Sequence, residues 1–388
     1  MKLSGTHLDI HAPALAELRT HRSTKWRDYP SDVLPLPVAE MDFPVAEPIR
    51  TLLLEMVAAS DLGYLGEIPE LPQAFADHAR ARMNWSVDPR QVHVVTDVGV
   101  GVVEVLRLVT APGDRVLINS PVYHNFSTWI AEVGLRRVDV PFAQDGAEWN
   151  INFPEIEAAY QSGIKVHLLC SPHNPLGRVY SKEELLRIAE LADEYSVIVI
   201  SDEIHGPLTF PEARFIPFLS LGDVAERVGI IVTAASKAWN IAGLKCGLVV
   251  SQGAQTSEIL KQLPVATHYR ASLLGAFASA TAFAEGGEWL DSIMQNLDFN
   301  RHLLFDLLQA RLPEIKFSIP KNSYLAWLDL SALNLGQNPA AVFLERGKVA
   351  ILDGRGFGPT GSGFARLNFA TSPEILAEAV ERMVVAIL

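Results

Sequence analysis

Short apolar runs alternate with helical patterns across roughly residues 90–250, and this alternation constrains the fold most strongly. Each run has the length of a buried strand. Strands that alternate with helices form a mainly parallel sheet covered by helices. We therefore predict an α/β domain with a mainly parallel central sheet, whose strands include the runs at 92–95, 116–118, 166–169, 197–200 and 230–232.

Two ionisable residues follow the ends of two of these strands. Asp202 comes just after the run at 197–200, and Lys237 lies among small residues past the run at 230–232. Partial desolvation lowers the pKa of a lysine amine and makes it nucleophilic, as a Schiff-base lysine requires. An aspartate at a nearby strand end can keep the ring nitrogen of pyridoxal 5′-phosphate (PLP) protonated. Lys237 alone could be an ordinary strand-end lysine, but together with Asp202 it favours a PLP site.

The blocks around these residues, SDEIHGPLTF and ASKAWNIAGLKCG, resemble the aspartate and lysine blocks of fold-type I PLP enzymes. Within that group the chain is similar to the MalY/PatB-type cystathionine β-lyase (C–S lyase) branch of the class I/II aminotransferase family. The similarity recurs along most of the chain. It implies the fold-type I architecture, a large domain with a mainly parallel sheet and a smaller α+β domain, and PLP as the cofactor.

The resemblance also gives roles to three residues in other blocks. Asn174, in CSPHNPLGR, would hydrogen-bond the phenolic oxygen of the cofactor, and Tyr123, in PVYH, would stack on its ring. Arg366, in GFARLNFA, would bind the α-carboxylate of an amino-acid substrate through a bidentate contact. Without the resemblance these residues could be a turn asparagine, a core aromatic and a surface charge. We expect Lys237, Asp202 and Tyr123 to be the catalytic residues.

A phosphate site is predicted where the strand at 92–95 meets the helical stretch that ends at Val109. A strand, a glycine turn and a helix N-terminus bring unpaired N–H groups and the helix dipole together, and we assign Val98, Gly99 and Val100 to this cradle. Dinucleotide binding is disfavoured because Glu104 replaces the third glycine of GxGxxG. We predict that Ser236 and Lys245 also contact the cofactor. Lys245 stands where many fold-type I relatives have an arginine, and it supplies charge without a bidentate fork.

Tyr64 lies between two glycines in GYLG and would usually be a loop aromatic. In the related enzymes a tyrosine in this block reaches the cofactor phosphate of the neighbouring subunit. The resemblance therefore implies a homodimer with shared active sites.

The composition limits the other partners. A net charge of −13 disfavours nucleic acid and anionic membranes. Cys170 and Cys246 lie in apolar contexts that suit free thiols in a reducing compartment. The N-terminal residues lack the apolar segment of a signal peptide, and no apolar run reaches the roughly 18 residues of a membrane span. We predict a cytoplasmic protein without a metal site.

The expected domain organisation has three parts. Residues 1–48 form an irregular, proline-rich arm that belongs to the small domain, residues 49–288 form the large PLP-binding domain, and residues 289–388 form the C-terminal small domain. The chain of 388 residues is long enough for one large core and one small one.

Three functions remain open at this point. The first is a PLP-dependent β-lyase that cleaves cystathionine or a related S-substituted L-cysteine to pyruvate, ammonia and a thiol. The second is an aminotransferase, which the same residues would serve equally well. The third is a catalytically silent regulatory or binding protein of this fold, which the intact Asp202, Lys237, Asn174 and Arg366 disfavour.

Overall fold

The computed structural model describes residues 8–146 and 148–388 of the chain. Its strands within these residues are β1 (Leu34–Pro35), β2 (Val92–Val95), β3 (Arg115–Ile118), β4 (Arg136–Asp139), β5 (Ala143–Asp145), β6 (Glu148–Asn150), β7 (Val166–Cys170), β8 (Ile198–Asp202), β9 (Gly229–Thr233), β10 (Gly247–Val250), β11 (Lys316–Phe317), β12 (Leu325–Asp329), β13 (Val349–Ala350), β14 (Leu352–Asp353) and β15 (Phe364–Asn368).

The α-helices in the same residues are α1 (Leu15–Leu18), α2 (Thr24–Arg27), α3 (Glu47–Ala58), α4 (Glu70–Met83), α5 (Val98–Val109), α6 (Asn125–Glu132), α7 (Phe153–Gln161), α8 (Lys182–Glu194), α9 (Asp223–Val228), α10 (Ala254–Leu260), α11 (Val265–Tyr269), α12 (Leu273–Glu285), α13 (Gly287–Arg311), α14 (Pro339–Gly347) and α15 (Pro373–Ile387). Short 3₁₀ helices include Gly206–Leu208, Ala242–Leu244 and Gly354–Phe357.

A seven-stranded sheet organises the larger part of the chain, in the order β2-β10-β9-β8-β7-β3-β4. Only β10 runs antiparallel to its neighbours β9 and β2, and the other pairs are parallel. The central strands β7 and β9 are buried along their whole length, as expected for strands covered by helices on both faces. The predicted mainly parallel α/β sheet is confirmed.

The register of this sheet brings the ends of its central strands together. Cys170 lies opposite Asp202 in the β7–β8 pair, and Asp202 lies opposite Val232 in the β8–β9 pair. Because parallel strands end at the same edge, the loops after β7, β8 and β9 meet there. These loops carry Asn174, His205 and Lys237.

Local sequence signals account for the ends of several helices. The spacing of Ser181 and Glu184 predicts a capping box at the start of α8. The two residues form it, and each side chain accepts a hydrogen bond from the backbone N–H of the other residue. Ser272 caps α12 by accepting a hydrogen bond from the Gly275 N–H. These interactions satisfy N–H groups that would otherwise lack partners at the start of a helix.

The start of α5 differs from the sequence prediction. Gly99 and Gly101 lie inside the helix rather than in a turn before it, because Asp97 caps the helix and accepts a 2.8 Å hydrogen bond from the Val100 N–H. A Cβ atom at Gly101 would lie 3.0 Å from Val249. The glycine therefore allows the helix to pack closely on the sheet.

The alternating residues 317–320, Phe-Ser-Ile-Pro, predict a strand, and this prediction is wrong beyond Phe317. In the described residues this segment pairs with β12 only at Lys316 and Phe317. The Pro320 carbonyl accepts a 2.7 Å hydrogen bond from Arg301, and proline has no N–H to donate to a strand ladder. The alternating pattern of this segment therefore reflects burial against neighbouring residues rather than sheet pairing.

The C-terminal part of the chain contains a four-stranded sheet in the order β11-β12-β15-β14. The N-terminal residues return to this region, because β1 pairs with β13 in parallel. The assignment of the arm to the small domain, with boundaries at residues 48 and 288, stays a prediction. Helix α13 crosses the second boundary.

Two further expectations can be compared with the described residues. Cys170 and Cys246 are both buried and unpaired, as predicted. None of the helices in residues 8–146 and 148–388 combines the length and the apolar character that crossing a membrane demands.

Candidate active site

A cavity of about 550 Å³ lies at the carboxyl ends of β7, β8 and β9. The segment Pro37–Ala39 and strand β15 form its opposite wall. This is the position in which open α/β sheets bind ligands. Nine of the predicted site residues line the cavity: Val98, Gly99, Tyr123, Asn174, Asp202, Ser236, Lys237, Lys245 and Arg366.

Two predicted site residues do not line this cavity. Val100 lies one residue further into α5, where its N–H donates to Asp97 and is therefore engaged in the helix cap. Its predicted part in a phosphate cradle stays a prediction. The Tyr64 side chain is 92% exposed, in the loop between α3 and α4. Its predicted contact with a neighbouring subunit stays a prediction.

Lys237 projects into the cavity from the loop after β9. Its Nζ donates a 2.9 Å hydrogen bond to the backbone carbonyl of Ala39. Burial, together with the positive charge of Arg366, lowers the pKa of Lys237 to about 8. An amine with this pKa has a larger neutral fraction near pH 7 than an ordinary lysine, and nucleophilic attack on a carbonyl requires the neutral form.

Asp202 is the last residue of β8 and is 5% exposed. Its Oδ1 accepts a 3.2 Å hydrogen bond from the Ile204 N–H, and burial raises the pKa of the carboxyl group to about 7. A cationic N–H group in the cavity would favour the ionised carboxylate. Asp202 is therefore suited to hold a protonated ring nitrogen.

Arg366 lies on β15 and is 3% exposed. Its Nη1 donates to Asn174 Oδ1 and its Nη2 donates to the Pro37 carbonyl, both at 3.0 Å. Its Cζ lies over the Phe357 ring, 5.2 Å from the ring centre. Its Nε is buried and has no hydrogen-bond partner in the described part of the chain. An unpaired donor on a buried cation is suited to an anionic ligand.

Tyr123 lies beside the cavity after β3. Its hydroxyl accepts a 2.7 Å hydrogen bond from Asn125 Nδ2, and its ring makes an edge contact with Trp129 at 5.9 Å. Gly99 approaches the same tryptophan so closely that an added Cβ would lie 3.0 Å from it. The first turn of α5 therefore reaches the cavity, and its first N–H groups have no acceptor within the helix.

Lys245 and Ser236 complete the predicted set. Lys245 has a φ of 55°, its side chain is 59% exposed, and its Nζ pairs with Asp97 Oδ2 at 3.0 Å. The sequence prediction missed this pair, although an aspartate directly before an apolar helical run is a recognised capping signal. Asp97 thus connects the start of α5 to the cation that we assigned to the phosphate.

His205 also lines the cavity and is 4% exposed. Burial lowers the pKa of its ring to about 3, so the ring is neutral at physiological pH. Its backbone carbonyl accepts a 2.8 Å hydrogen bond from Asn322. A supporting role therefore fits better than proton transfer.

Comparisons with known proteins identify the family of this chain. The model of the family "Aminotransferase class I and II" matches residues 33–383. The chain belongs to this family. The cystathionine β-lyase of Corynebacterium glutamicum is 34% identical, with 96% of this chain and 98% of that protein covered. The cystathionine β-lyase PatB of Bacillus subtilis is 32% identical, with 92% and 93% covered.

A solved structure supports the same assignment. Cystalysin of Treponema denticola, whose structure contains pyridoxal 5′-phosphate, superposes with a TM-score of 0.91 at 27% identity, over 98% of this chain and 99% of that chain. The predicted family branch and the fold-type I architecture are confirmed. PLP is the cofactor of this aminotransferase class I and II protein.

The residues of the cavity fit this cofactor. Lys237, with its lowered pKa, and Asp202, with its raised pKa, line the same cavity. The first residues of α5 and Lys245 line it as well. These groups match an aldehyde, a ring nitrogen and a phosphate respectively. The described residues contain no group of three or more His, Cys, Asp or Glu side chains placed to hold a metal ion.

Proposed function

We propose that this protein is a carbon–sulfur β-lyase that cleaves cystathionine or a related S-substituted L-cysteine to pyruvate, ammonia and a thiol. The observation that carries the proposal is the convergence of Lys237, Asp202, Asn174 and Arg366 on one cavity in a chain 32–34% identical to two cystathionine β-lyases. The family relationship alone allows an aminotransferase, and the lyase relatives favour bond cleavage.

PLP, when bound, supplies an aldehyde that joins the substrate amine and a ring that withdraws electrons from the Cα–H bond. Lys237 would hold the cofactor covalently until a substrate amine displaces it. The freed amine of Lys237 would then take the proton from Cα. Its lowered pKa suits this step, because a general base works best when its pKa lies near the working pH.

Arg366 would hold the substrate by its α-carboxylate. Its buried Nε is an unpaired donor, and its Nη1 is already fixed by Asn174. A substrate carboxylate bound to Arg366 would therefore lie beside Asn174, whose amide we assign to the phenolic oxygen of the cofactor. This arrangement fixes the direction of the Cα–H bond relative to Lys237, and orientation of this kind lowers the barrier to proton removal.

Removal of the Cα proton leaves an electron pair that expels the β-substituent. The Cβ–S bond breaks, the sulfur leaves as a thiolate with the bonding electrons, and it takes up a proton to become the free thiol. The three-carbon fragment that remains reacts with water and ends as pyruvate and ammonia. Asp202 would keep the ring nitrogen protonated throughout, and the Tyr123 ring would hold the cofactor plane.

The proposal includes a homodimer with shared active sites. Tyr64 is almost fully exposed, and other large apolar side chains on α3, the following loop and α11 are also exposed: Leu54, Val57, Leu62, Val265 and Tyr269. His268 on α11 contacts the carbonyl of Gly66 at 2.8 Å, so the loop and α11 are joined. If a second copy of the chain covers this surface, Tyr64 of each copy would lie near the cofactor phosphate of the other copy. We further propose a cytoplasmic location and the three-part domain division given above.

The decisive experiment uses the purified protein with PLP and L-cystathionine, and it measures pyruvate and free thiol in the same sample. Equal amounts of both products support the lyase. Transfer of the amino group to a keto acid without pyruvate would identify an aminotransferase instead. Loss of the covalent cofactor absorbance in Lys237→Ala tests the cofactor site separately. Covalent cofactor without either reaction would favour the silent protein.

A further inference from the structure

The backbone between residues 37 and 41, here called the arm segment, lies across the cavity and contacts both functional cations. The Pro37 carbonyl accepts a 3.0 Å hydrogen bond from Arg366 Nη2. The Ala39 carbonyl accepts 2.9 Å and 3.1 Å hydrogen bonds from Lys237 Nζ and the Tyr324 hydroxyl. The positions of these two carbonyls therefore determine where both cations point.

One side chain holds the arm segment on both sides of Ala39. Asn368 Nδ2 donates 2.7 Å hydrogen bonds to the carbonyls of Val38 and Glu40. Its Oδ1 accepts a 2.7 Å hydrogen bond from the Ala370 N–H. Asn368 is 1% exposed, and both N–H bonds of its amide and one lone pair of its oxygen are used, so its orientation is fixed.

Asn368 and Arg366 are two residues apart on β15 and therefore lie on the same face of the strand. The same short piece of sheet thus carries the substrate arginine and the amide that fixes the arm segment. The Glu40 N–H also donates to the Val38 carbonyl at 2.9 Å, so this backbone bond and the Asn368 amide together hold the bend at Val38 and Ala39. The Ala39 carbonyl is directed at Lys237 between these two fixed points.

We propose that Asn368 is a positioning residue for the β-lyase reaction, which orients Lys237 and Arg366 through the Ala39 and Pro37 carbonyls. This inference rests on the proposed function for its kinetic consequence only. The structural consequence, a change in the state of the Lys237 amine, holds in the protein without cofactor or substrate.

The pKa of the Lys237 amine reports on the position of the arm segment, because few charged groups contribute to it. Arg366 and Lys245 oppose its protonation, and Glu40 and Asp202 favour it. A carbonyl acceptor favours the ammonium form, since a hydrogen bond to the charged state stabilises that state. Displacement of the Ala39 carbonyl should therefore lower the pKa of Lys237 further.

The experiment compares Asn368→Ala with the wild-type protein, both without cofactor. The apparent pKa of Lys237 is obtained from the pH dependence of its labelling by an amine-selective anhydride, read by peptide mass spectrometry. We expect a lower apparent pKa in the variant and faster amide hydrogen exchange at residues 40 and 41. With PLP, kcat should fall by about 10-fold or more with a smaller change in KM, because misplacing a reacting group by about 1 Å can cost about 100-fold in rate.

Asn300→Ala is the matched control. Asn300 is also a buried asparagine, and its Nδ2 donates to two alternate carbonyls, those of Phe369 and Thr371, at 3.0 Å and 2.7 Å. It holds neither Pro37 nor Ala39. Both variants should lose stability, but only Asn368→Ala should change the labelling of Lys237.

An unchanged labelling profile in Asn368→Ala, or the same shift in Asn300→Ala, would overturn the proposal.

If Asn368→Ala does not fold, Asn240→Gly tests the arm segment from its other end. Asn240 bonds both the N–H and the carbonyl of Met41 at 2.9 Å, and its φ of 56° suits glycine. Asn240→Gly should also lower the apparent pKa of Lys237. An unchanged apparent pKa in this variant would contradict the inference. If the wild-type protein has no lyase activity, the proposed function fails while the labelling result still stands.

Discussion

Arg366 donates a 3.0 Å hydrogen bond to Asn174 across 192 positions of the sequence. We propose that Arg366 binds the substrate carboxylate and that Asn174 binds the cofactor oxygen. In this proposal the hydrogen bond joins the two subsites directly. A change in either side chain should affect both substrate affinity and the electronic state of the cofactor.

The first prediction concerns this bond. Arg366→Lys keeps the charge but loses the planar fork that reaches Asn174, Pro37 and a carboxylate together. We expect KM for an S-substituted cysteine to rise by about 10-fold or more, since each tenfold step is worth about 1.4 kcal/mol of binding and a charged hydrogen bond contributes about that much. Steady-state kinetics measures this. Arg355→Lys, at an exposed arginine paired with Asp353, is the control and should leave KM unchanged.

The second prediction concerns the pH dependence of cofactor attachment. The pKa of Lys237 is lowered to about 8 from its ordinary 10.5, so the neutral amine becomes dominant above about pH 8. The rate of covalent PLP incorporation into the cofactor-free protein, trapped with borohydride, should rise with pH and level off above that value. A rate that continues to rise beyond pH 10 would show that the amine is not perturbed.

The third prediction separates cofactor binding from catalysis at Asp202. Asp202→Asn has nearly the same shape but cannot hold a protonated ring nitrogen by charge. We expect Lys237 to bind PLP covalently in the variant, while the turnover falls by about 100-fold or more, as for the loss of one fixed electrostatic group in an active site. Absorbance measures the covalent binding of PLP, and pyruvate release measures the turnover. Near wild-type turnover would exclude the assigned role.

The fourth prediction concerns a buried ion pair behind the arm segment. Lys25 is fully buried, and its Nζ contacts Asp42 Oδ1 at 2.7 Å and the Glu40 carbonyl at 3.1 Å. Asp42→Ala leaves an uncompensated buried charge and should lower the free energy of unfolding by about 3–5 kcal/mol. Urea denaturation checks this. Glu47→Ala breaks an exposed pair with Arg50 and should leave the urea midpoint unchanged.

The fifth prediction concerns stability at low pH. His167 is fully buried between the Tyr160 hydroxyl and Asn119 Oδ1, each at 2.7 Å, and burial lowers the pKa of its ring to about 3 from 6.5. The unfolded chain therefore binds a proton first as the pH falls, and this removes stability between about pH 6.5 and pH 3.

The variant His167→Gln lacks this titration and provides the comparison. Relative to it, the wild-type protein should lose up to about 1.4 kcal/mol per pH unit below pH 6.5. Urea midpoints at pH 7 and pH 5 measure the difference. Parallel changes in both proteins would show that His167 does not titrate differently in the folded state.

The fold could be predicted well because its signals are local. Apolar runs identified β7, β8 and β9, and the pattern Ser181-x-x-Glu184 identified the start of α8. Two elements were predicted wrongly at their ends. Phe317 and Ile319 alternate with the polar residues Lys316 and Ser318 as in a strand, yet sheet pairing depends on a partner strand that no local pattern specifies.

The sequence by itself determined the family and its cofactor, because Asp202, Asn174, Lys237 and Arg366 stand in blocks that resemble those of the family. The tertiary structure alone decided what holds these residues. Lys237 and Ala39 are 198 positions apart, and their contact is made by a backbone carbonyl. Every residue carries such a carbonyl, so no side-chain pattern marks the one at Ala39. Its role arises only when Asn368, on a distant strand, fixes the arm segment across the cavity.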